Sequence, residues 1–347
     1  MKKSIIILLL LISFISLTSC KDKTTPVTST YVDATSYIVM DKTTHRVFEG
    51  RNIHQRILPA STTKILTCLT IINNFDLDQY IKITYDMINV EGSRIYLEVD
   101  EVISVKDLLY GLMLNSGNDA SLALAIGLCN NVDNFVYLMN EECKKIGMKN
   151  STFENPNGLD ETSKNYTTAY DMALLMSYAL ENEDFRTITS CKEYKAKLPT
   201  GRTLYFNNKH KLIHTNDLTT GGKTGYTKKA GRTLITSFEK KGFEIIVCTF
   251  DATNDWESHT QLAKNTFNSY LLKEVISKYE FNKNTNNKYL IKNEDLLFPL
   301  SGEEEVDSLR IEIITSLDYA TIYYYQNEKI IGFKKVKNKW LITYGFF

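Results

Sequence analysis

Residues 59–64 read Pro-Ala-Ser-Thr-Thr-Lys, and an apolar run at helical spacing follows them as far as residue 72. Proline is favoured in the first turn of a helix, so the pattern predicts a helix that begins near Ser61 and is buried beyond it. Residues three apart on a helix share a face, which brings the Ser61 hydroxyl within reach of the Lys64 amine. A serine beside a neutral amine is an activated nucleophile with its base. Taken alone, these residues also fit a capped helix with an exposed lysine.

A polar turn between two apolar segments is the second motif. Residues 104–113 predict one helix, residues 120–126 predict another that is almost wholly apolar, and Ser116-Gly117-Asn118 lies between them. Gly and Asn are ordinary turn residues, so the motif also fits a plain connector between helices.

A glycine-rich stretch is the third motif. Residues 221–226 read Gly-Gly-Lys-Thr-Gly-Tyr and precede a predicted hairpin of strands over residues 234–238 and 243–250. Glycines at this place would let a ligand backbone approach a strand edge. The alternative is a glycine-rich turn with a solvated lysine. The spacing of a phosphate-binding loop is absent.

The rest of the chain alternates between segments typical of strands and of helices. Residues 35–41 and 46–49 predict a hairpin of strands, and residues 132–145, 168–180 and 262–278 predict helices. Residues 309–314, 320–325, 329–333 and 340–344 predict strands, and nothing in them suggests catalysis. The 41 basic and 41 acidic residues balance, which argues against a nucleic-acid partner. No cysteine pair has metal-ligand spacing, and we expect neither a metal nor a cofactor.

The N-terminus predicts export. Two lysines precede an apolar run over residues 5–17 that is too short for a comfortable membrane span and ends in Leu-Thr-Ser-Cys. This pattern resembles a bacterial lipoprotein signal, in which Cys20 is lipidated and holds the protein at the outer face of the cytoplasmic membrane, or in an outer membrane if the cell has one. An ordinary signal peptide or an uncleaved anchor is the alternative. The polar residues that follow indicate a flexible tether.

The three motifs occur in the order Ser-x-x-Lys, Ser-x-Asn and Lys-Thr-Gly, which is typical of penicillin-binding proteins and class A β-lactamases. Residues 35–270 further resemble the D-alanyl-D-alanine carboxypeptidases, the low-molecular-mass penicillin-binding proteins of peptidase family S11. The resemblance lies in residues 91–97, 109–120, 157–160, 166–173 and 223–232. It implies an α/β (α+β) fold of the β-lactamase and DD-peptidase type, with an antiparallel sheet flanked by helices and a helical subdomain. A small C-terminal all-β domain would follow.

The predicted organisation is a lipoprotein signal peptide over residues 1–19, a tether over 20–32, a catalytic domain over 33–275 and a β-rich domain over 276–347. The resemblance implies peptidoglycan stem peptides ending in D-Ala-D-Ala as substrates and β-lactams as inhibitors. It assigns attack on the carbonyl to Ser61, proton acceptance to Lys64 and proton relay to Ser116. Asn118 would bind the substrate amide and hold Lys64.

The glycine-rich motif would bind the substrate backbone and its carboxylate. Lys223 would stay charged at the edge of the cleft, lowering the proton affinity of Lys64 and attracting the carboxylate. Thr224 would bond that carboxylate on the strand that carries Gly225. The backbone N–H groups of Ser61 and Tyr226 would form an oxyanion hole.

One departure from the family pattern bears on the activity. Some members carry an arginine after the second strand for the terminal carboxylate, and residues 251–256 contain none. Endopeptidase activity on cross-links is therefore an alternative to carboxypeptidase activity. A β-lactamase, for which Glu154 lies in the right broad region, and a non-catalytic wall-binding lipoprotein are two further candidate functions.

Overall fold

The structure is a computed structural model that describes residues 31–162, 164–289 and 295–339. Cys20, the predicted signal peptide, most of the predicted tether and the predicted strand over residues 340–344 lie outside the described residues.

The described residues form strands and helices that largely follow the predicted segments. The strands are β1 Ala34–Asp41, β2 Val47–Arg51, β3 Tyr80–Lys82, β4 Val102–Ser104, β5 Glu193–Lys197, β6 Thr203–Asn207, β7 Thr219–Thr227, β8 Gly231–Lys240, β9 Phe243–Ala252, β10 Tyr270–Ile276, β11 Leu296–Ser301, β12 Arg310–Thr315, β13 Tyr319–Gln326 and β14 Lys329–Lys337. The α-helices are α1 Lys64–Asn74, α2 Tyr85–Ile88, α3 Val105–Leu114, α4 Asn118–Cys129, α5 Val132–Ile146, α6 Ala169–Ala179, α7 Glu183–Ser190, α8 Lys211–Thr215, α9 Asp255–Ser269 and α10 Lys278–Asn284. Short 3₁₀ helices span Ala60–Thr63 and Val306–Ser308.

The centre of the fold is an antiparallel sheet of five strands in the order β2-β1-β9-β8-β7. Alternate residues of β9 point to opposite faces of the sheet. Ile246 and Cys248 belong to the core that the sheet shares with helices such as α1 and α6, whereas Ile245 and Val247 belong to the core that it shares with α9. Both faces of β9 are therefore buried, which explains its continuous apolar run. The predicted fold class is confirmed, and β7, the strand of the glycine-rich motif, lies at the open edge of the sheet.

The helix predicted over residues 262–278 is wrong in its second half. Helix α9 ends at Ser269, and residues 270–276 form β10, which pairs antiparallel with β11. Leu271, Leu272, Val275 and Ile276 fit a helical spacing, but the pairing with β11 and a separate apolar cluster around Phe298 override it. The predicted strands over residues 309–333 correspond to β12, β13 and β14, which form one antiparallel sheet.

None of the helices described here is by itself long and apolar enough to cross a membrane, and α4 and α5 meet a length and composition criterion only as a pair bent by 93°.

Candidate active site

Ser61 lies in the 3₁₀ turn that leads into α1, and this turn is fixed to the sheet. The carbonyl oxygen of Pro59 accepts hydrogen bonds from Thr62 Oγ1 at 2.6 Å and from Thr233 Oγ1 of β8 at 3.0 Å. Ala60, directly before Ser61, has a φ of +48°, which is rare for a residue other than glycine. Strained backbone of this kind persists where the surroundings enforce it and is frequent at functional sites.

Lys64 is completely buried, and its amine contacts three oxygen atoms. Nζ lies 2.7 Å from the carbonyl oxygen of Asn157, 2.8 Å from Asn118 Oδ1 and 3.0 Å from Ser61 Oγ. Asn118 donates its Nδ2 to the carbonyl of Glu91 at 2.6 Å, which fixes its amide oxygen toward Lys64. A neutral amine has two N–H groups, and both go to the two atoms that can only accept. In this neutral form the lone pair is left for Ser61 and can accept its hydroxyl proton.

The surroundings of Lys64 favour this neutral form. Burial lowers the pKa of Lys64 well below its usual range, the positive charges of Lys223 and Lys209 lower it further, and Asp119 opposes them. No described carboxylate forms an ion pair with Lys64. Burial and the neighbouring cations thus both favour the neutral amine that a proton acceptor requires.

The second motif forms the turn between α3 and α4, in which Asn118 contacts Lys64 and Ser116 lies two residues before it in the chain. Ser116 is buried, and its φ of +60° is a second left-handed value at a non-glycine residue of this site. Asp119 follows them and is itself buried, with its carboxylate accepting the backbone N–H groups of Ile95, Tyr96 and Leu97 at 2.8–3.3 Å. Asp119 thereby fastens residues 95–97 to the start of α4, a role that the sequence pattern did not reveal.

Lys223 differs from the prediction of a charged lysine at the edge of the cleft. Its side chain is only 1% exposed, and Nζ donates to the carbonyl of Thr224 at 3.0 Å. Burial, followed by repulsion from Lys209, lowers the pKa of Lys223 to about 7. The charged form of Lys223 is therefore less favoured near neutral pH than that of a solvent-exposed lysine.

Gly225 is required by a contact within the protein, in addition to the predicted approach of a ligand. A Cβ atom at this position would lie 2.4 Å from Thr233 Oγ1 and 2.8 Å from the backbone nitrogen of Ser61. Glycine therefore lets the edge strand β7 approach the turn that carries Ser61. Thr224 is partly buried on this strand, and Tyr226 is exposed.

A loop over residues 155–160 contacts Lys64, the turn that carries Ser61 and the end of β7. It supplies the Asn157 carbonyl to Lys64, and Gly158, with a φ of +87°, passes so near that a Cβ there would lie 1.8 Å from the Ala60 oxygen. Asp160 accepts the Thr227 hydroxyl at 2.5 Å and so joins the loop to the end of β7. The Pro, Gly and Asn content of residues 155–159 predicts this loop, but the sequence gave it no catalytic role.

Two side chains bear on the alternative functions. Glu154 is exposed and accepts the backbone N–H of Lys164 at 2.7 Å, so it is engaged in a surface loop. In the stretch without arginine, Asp255 accepts two hydrogen bonds at 2.9 and 3.1 Å from Arg232 of β8, which pairs with Tyr226 of β7. No group of three or more His, Cys, Asp or Glu residues in the described ranges is arranged to hold a metal ion.

Comparisons with known proteins agree with this geometry. A family model described as D-alanyl-D-alanine carboxypeptidase, peptidase S11, matches residues 22–254. The D-alanyl-D-alanine carboxypeptidase DacF of Bacillus subtilis is 32% identical over 253 residues, which cover 72% of this chain and 63% of DacF. The chain thus matches less than two thirds of that relative.

Solved structures extend the likeness. The crystal structure of a D-alanyl-D-alanine carboxypeptidase from Mycobacterium tuberculosis superimposes with a TM-score of 0.66 at 25% identity, over 71% of this chain and 94% of that one. The carboxypeptidase DacD of Francisella tularensis superimposes with a TM-score of 0.71 over 92% of this chain and 95% of that one. At 22% identity, the likeness to DacD concerns the fold.

Proposed function

Because the chain belongs to the D-alanyl-D-alanine carboxypeptidase family, peptidase S11, we propose that it is a serine DD-carboxypeptidase acting on peptidoglycan stem peptides. It removes the terminal D-Ala through an acyl-enzyme on Ser61 and is inhibited by β-lactams. The observation that carries the proposal is the buried Lys64 amine, 3.0 Å from Ser61 Oγ and held by Asn118 and Asn157.

The first chemical step forms an ester. Ser61 Oγ attacks the carbonyl between the two alanines while Lys64 Nζ takes its proton. Backbone N–H groups of Ser61 and Tyr226 stabilise the oxyanion, each worth about 3–4 kcal/mol in such sites. The C–N bond then breaks, and the leaving D-Ala nitrogen receives the proton through Ser116. Lys223 and Thr224 hold the carboxylate, and Asn118 holds the substrate amide.

The second step releases the enzyme. Water attacks the ester carbonyl, Ser61 Oγ leaves and regains a proton, and the shortened peptide departs. A β-lactam mimics the dipeptide, and opening of its ring leaves the amine attached, so the acyl-enzyme persists.

The test of the nucleophile is labelling with a fluorescent penicillin, with intact-mass measurement of the adduct. The wild type should gain one β-lactam mass, and Ser61→Ala should gain none while its thermal unfolding stays cooperative. The exposed Ser190, at the end of α7, offers a matched control as Ser190→Ala. Labelled Ser61→Ala would refute the assignment, and an unlabelled, folded wild type would favour a non-catalytic wall-binding lipoprotein. Rapid turnover of the penicillin would favour a β-lactamase, against which the surface position of Glu154 argues.

DD-endopeptidase activity on cross-links is the second candidate. Asp255 occupies the stretch in which some family members carry an arginine, and it neutralises the nearby Arg232. Where the acceptor amine of a cross-link carries no adjacent carboxylate, a weak carboxylate site in the enzyme penalises the cross-linked substrate less than the pentapeptide. Mass spectrometry of purified muropeptides separates the two activities: loss of one D-Ala from pentapeptides indicates the carboxypeptidase, and conversion of dimers to monomers indicates the endopeptidase.

For localisation, we propose a lipid anchor on Cys20 at the outer face of the bacterial cytoplasmic membrane. The support is the apolar run that ends in Leu-Thr-Ser-Cys and the polar tether after it. Cys20→Ser should abolish labelling by a fatty-acid analogue and N-terminal processing. Unchanged labelling of this variant would place the anchor elsewhere.

A further inference from the structure

Two glycines precede Lys223 on β7, and a side chain of the protein itself occupies the strand edge beside them. The N–H of Gly222 donates to Thr189 Oγ1 at 3.0 Å, and the same hydroxyl donates to the carbonyl of Gly222 at 3.2 Å. A Cβ atom at Gly221 would lie 2.4 Å from Thr189 Cγ2. Thr189 is buried in the last turn of α7, so it covers the edge of β7 over both glycines.

The end of α7 that carries Thr189 is held in place by the segment after β6. Asn208 Nδ2 donates to the carbonyl of Cys191 at 2.9 Å and to that of Thr189 at 3.4 Å. The buried His210 packs so closely against Gly222 that a Cβ atom there would lie 2.6 Å from His210 Nε2. The contact between Thr189 and Gly222 is therefore built into the packing of this region.

The rest of this strand edge has a regular pattern of backbone groups. In an antiparallel sheet the N–H and C=O groups of alternate residues point away from the neighbouring strand. The register of β7 with β8 is regular from Gly221 to Thr227, and Gly222 bonds Thr189 on its outer side. Thr224 and Tyr226 therefore present their backbone groups on the same side. The edge that a ligand strand can use begins after Gly222.

The proposed reaction fixes the direction of a ligand on this edge. The scissile carbonyl lies at the N–H of Tyr226 and the terminal carboxylate at Lys223 and Thr224, so the ligand chain runs toward Gly222. A ligand that continued beyond this carboxylate would reach the groups that Thr189 already bonds. We propose that Thr189 is a specificity-determining residue that limits the enzyme to ligands whose chain ends with the residue that is released. This inference rests on the proposed function.

The experiment compares two thioester ligands that differ only in length beyond the scissile bond. One is N-benzoyl-D-alanyl-mercaptoacetate, and the other carries one further glycine in amide linkage to the mercaptoacetate. The released thiol gives kcat/KM for each ligand, and the ratio of the two values is the preference for the shorter ligand. It is measured for the wild type, Thr189→Ala and Thr189→Ser. Thr187→Ala is the matched control, because Thr187 is an exposed threonine of the same helix.

The wild type should prefer the shorter ligand by about tenfold or more, because the added amide meets backbone groups that are already bonded and stays without partners. Thr189→Ala frees the N–H and C=O of Gly222 for the added residue, and the preference should fall about five- to tenfold. Thr189→Ser keeps the hydroxyl and should retain the preference, as should Thr187→Ala. If Thr189→Ala does not fold, Thr189→Cys replaces it, because a thiol is only a weak hydrogen-bond partner.

An unchanged preference in folded Thr189→Ala would overturn the inference, and so would an extended ligand that neither this variant nor the wild type cleaves. A merely structural role of Thr189 would slow the cleavage of both ligands alike and leave the preference as it is. A wild type that cleaves both thioesters equally well, or a Thr189→Ser variant that loses the preference, would also contradict it. A folded wild type that cleaves neither thioester and gains no β-lactam mass would instead overturn the proposed function.

Discussion

The pH dependence of acylation tests the charge arrangement of the site most directly, because two buried lysines must carry different charges. Lys64 has to be neutral to accept the proton of Ser61, and its pKa is lowered well below the usual range. Lys223 has to be charged to hold a carboxylate, and its pKa is about 7. A lysine is charged below its pKa and neutral above it. Deprotonation of Lys64 should therefore set the acid limb of the acylation rate, and deprotonation of Lys223 should set the alkaline limb.

The position and slope of the alkaline limb follow from the pKa of Lys223. With a pKa of about 7, roughly half of the free enzyme is charged at pH 7, roughly a tenth at pH 8 and roughly a hundredth at pH 9. The second-order acylation constant reports the free enzyme, so it should fall about tenfold per pH unit above pH 8. A bound carboxylate stabilises the charged form of Lys223. The alkaline limb of the acylation rate at saturating ligand should therefore lie at higher pH than that of the second-order constant.

Two variants separate the lysines. Lys223→Arg keeps a permanent charge, so it should retain some acylation and lose mainly the alkaline limb. Lys64→Arg replaces the base with a group that stays protonated and should be almost inert. The measurement is the acylation rate from pH 5 to pH 10 by stopped-flow mixing with a fluorescent penicillin, with thermal unfolding as the control for folding. A wild-type constant that stays flat from pH 6.5 to pH 9, or substantial acylation by Lys64→Arg at neutral pH, would refute this reasoning.

Three further predictions concern stability and geometry. The wild type should become more stable from about pH 7 to pH 10, because in this range the unfolded chain still binds the Lys223 proton that the folded chain has lost. Lys223→Met should remove this rise, and it should increase the melting temperature most near pH 6. Thermal unfolding measured against pH tests both effects. Gly158→Ala should slow acylation by tenfold or more, because its Cβ would lie 1.8 Å from the Ala60 oxygen, whereas Gly147→Ala, with a φ of +95° and open space around it, should cost only about 1–2 kcal/mol of stability. Asp119→Asn should lose about 2–4 kcal/mol in urea unfolding, because an NH2 group replaces one of the two oxygens that accept the backbone N–H groups of residues 95–97. The exposed Asp133→Asn on α5 should be nearly neutral, and equal losses for the two variants would contradict the prediction.

The sequence predicted those parts of the site that depend on residues close to one another in the chain. The contact between Ser61 and Lys64 follows from a separation of three residues at a helix start, and the Ser116 turn follows from its polar residues between two apolar helices. The Asn157 carbonyl lies 93 residues from Lys64 in the chain and has no signature, because every residue carries a carbonyl group. The burial of Lys223 was missed for a related reason: the packing of β7 against the Ser61 turn, which Gly225 permits, is a tertiary contact.

The hydrogen bonds around Lys64 do not by themselves decide its protonation state. Three oxygens lie within 3.0 Å of Nζ. An ammonium would donate to all three, whereas a neutral amine would donate to two of them and accept from Ser61, and both arrangements fit these distances. The balance is set by the surroundings, since burial and the cations Lys223 and Lys209 both disfavour the charged form. Lys223, to which we assign the substrate carboxylate, is therefore also one of the groups that keep the base neutral. A substitution that removes the charge of Lys223 should weaken ligand capture and raise the proton affinity of Lys64 at the same time.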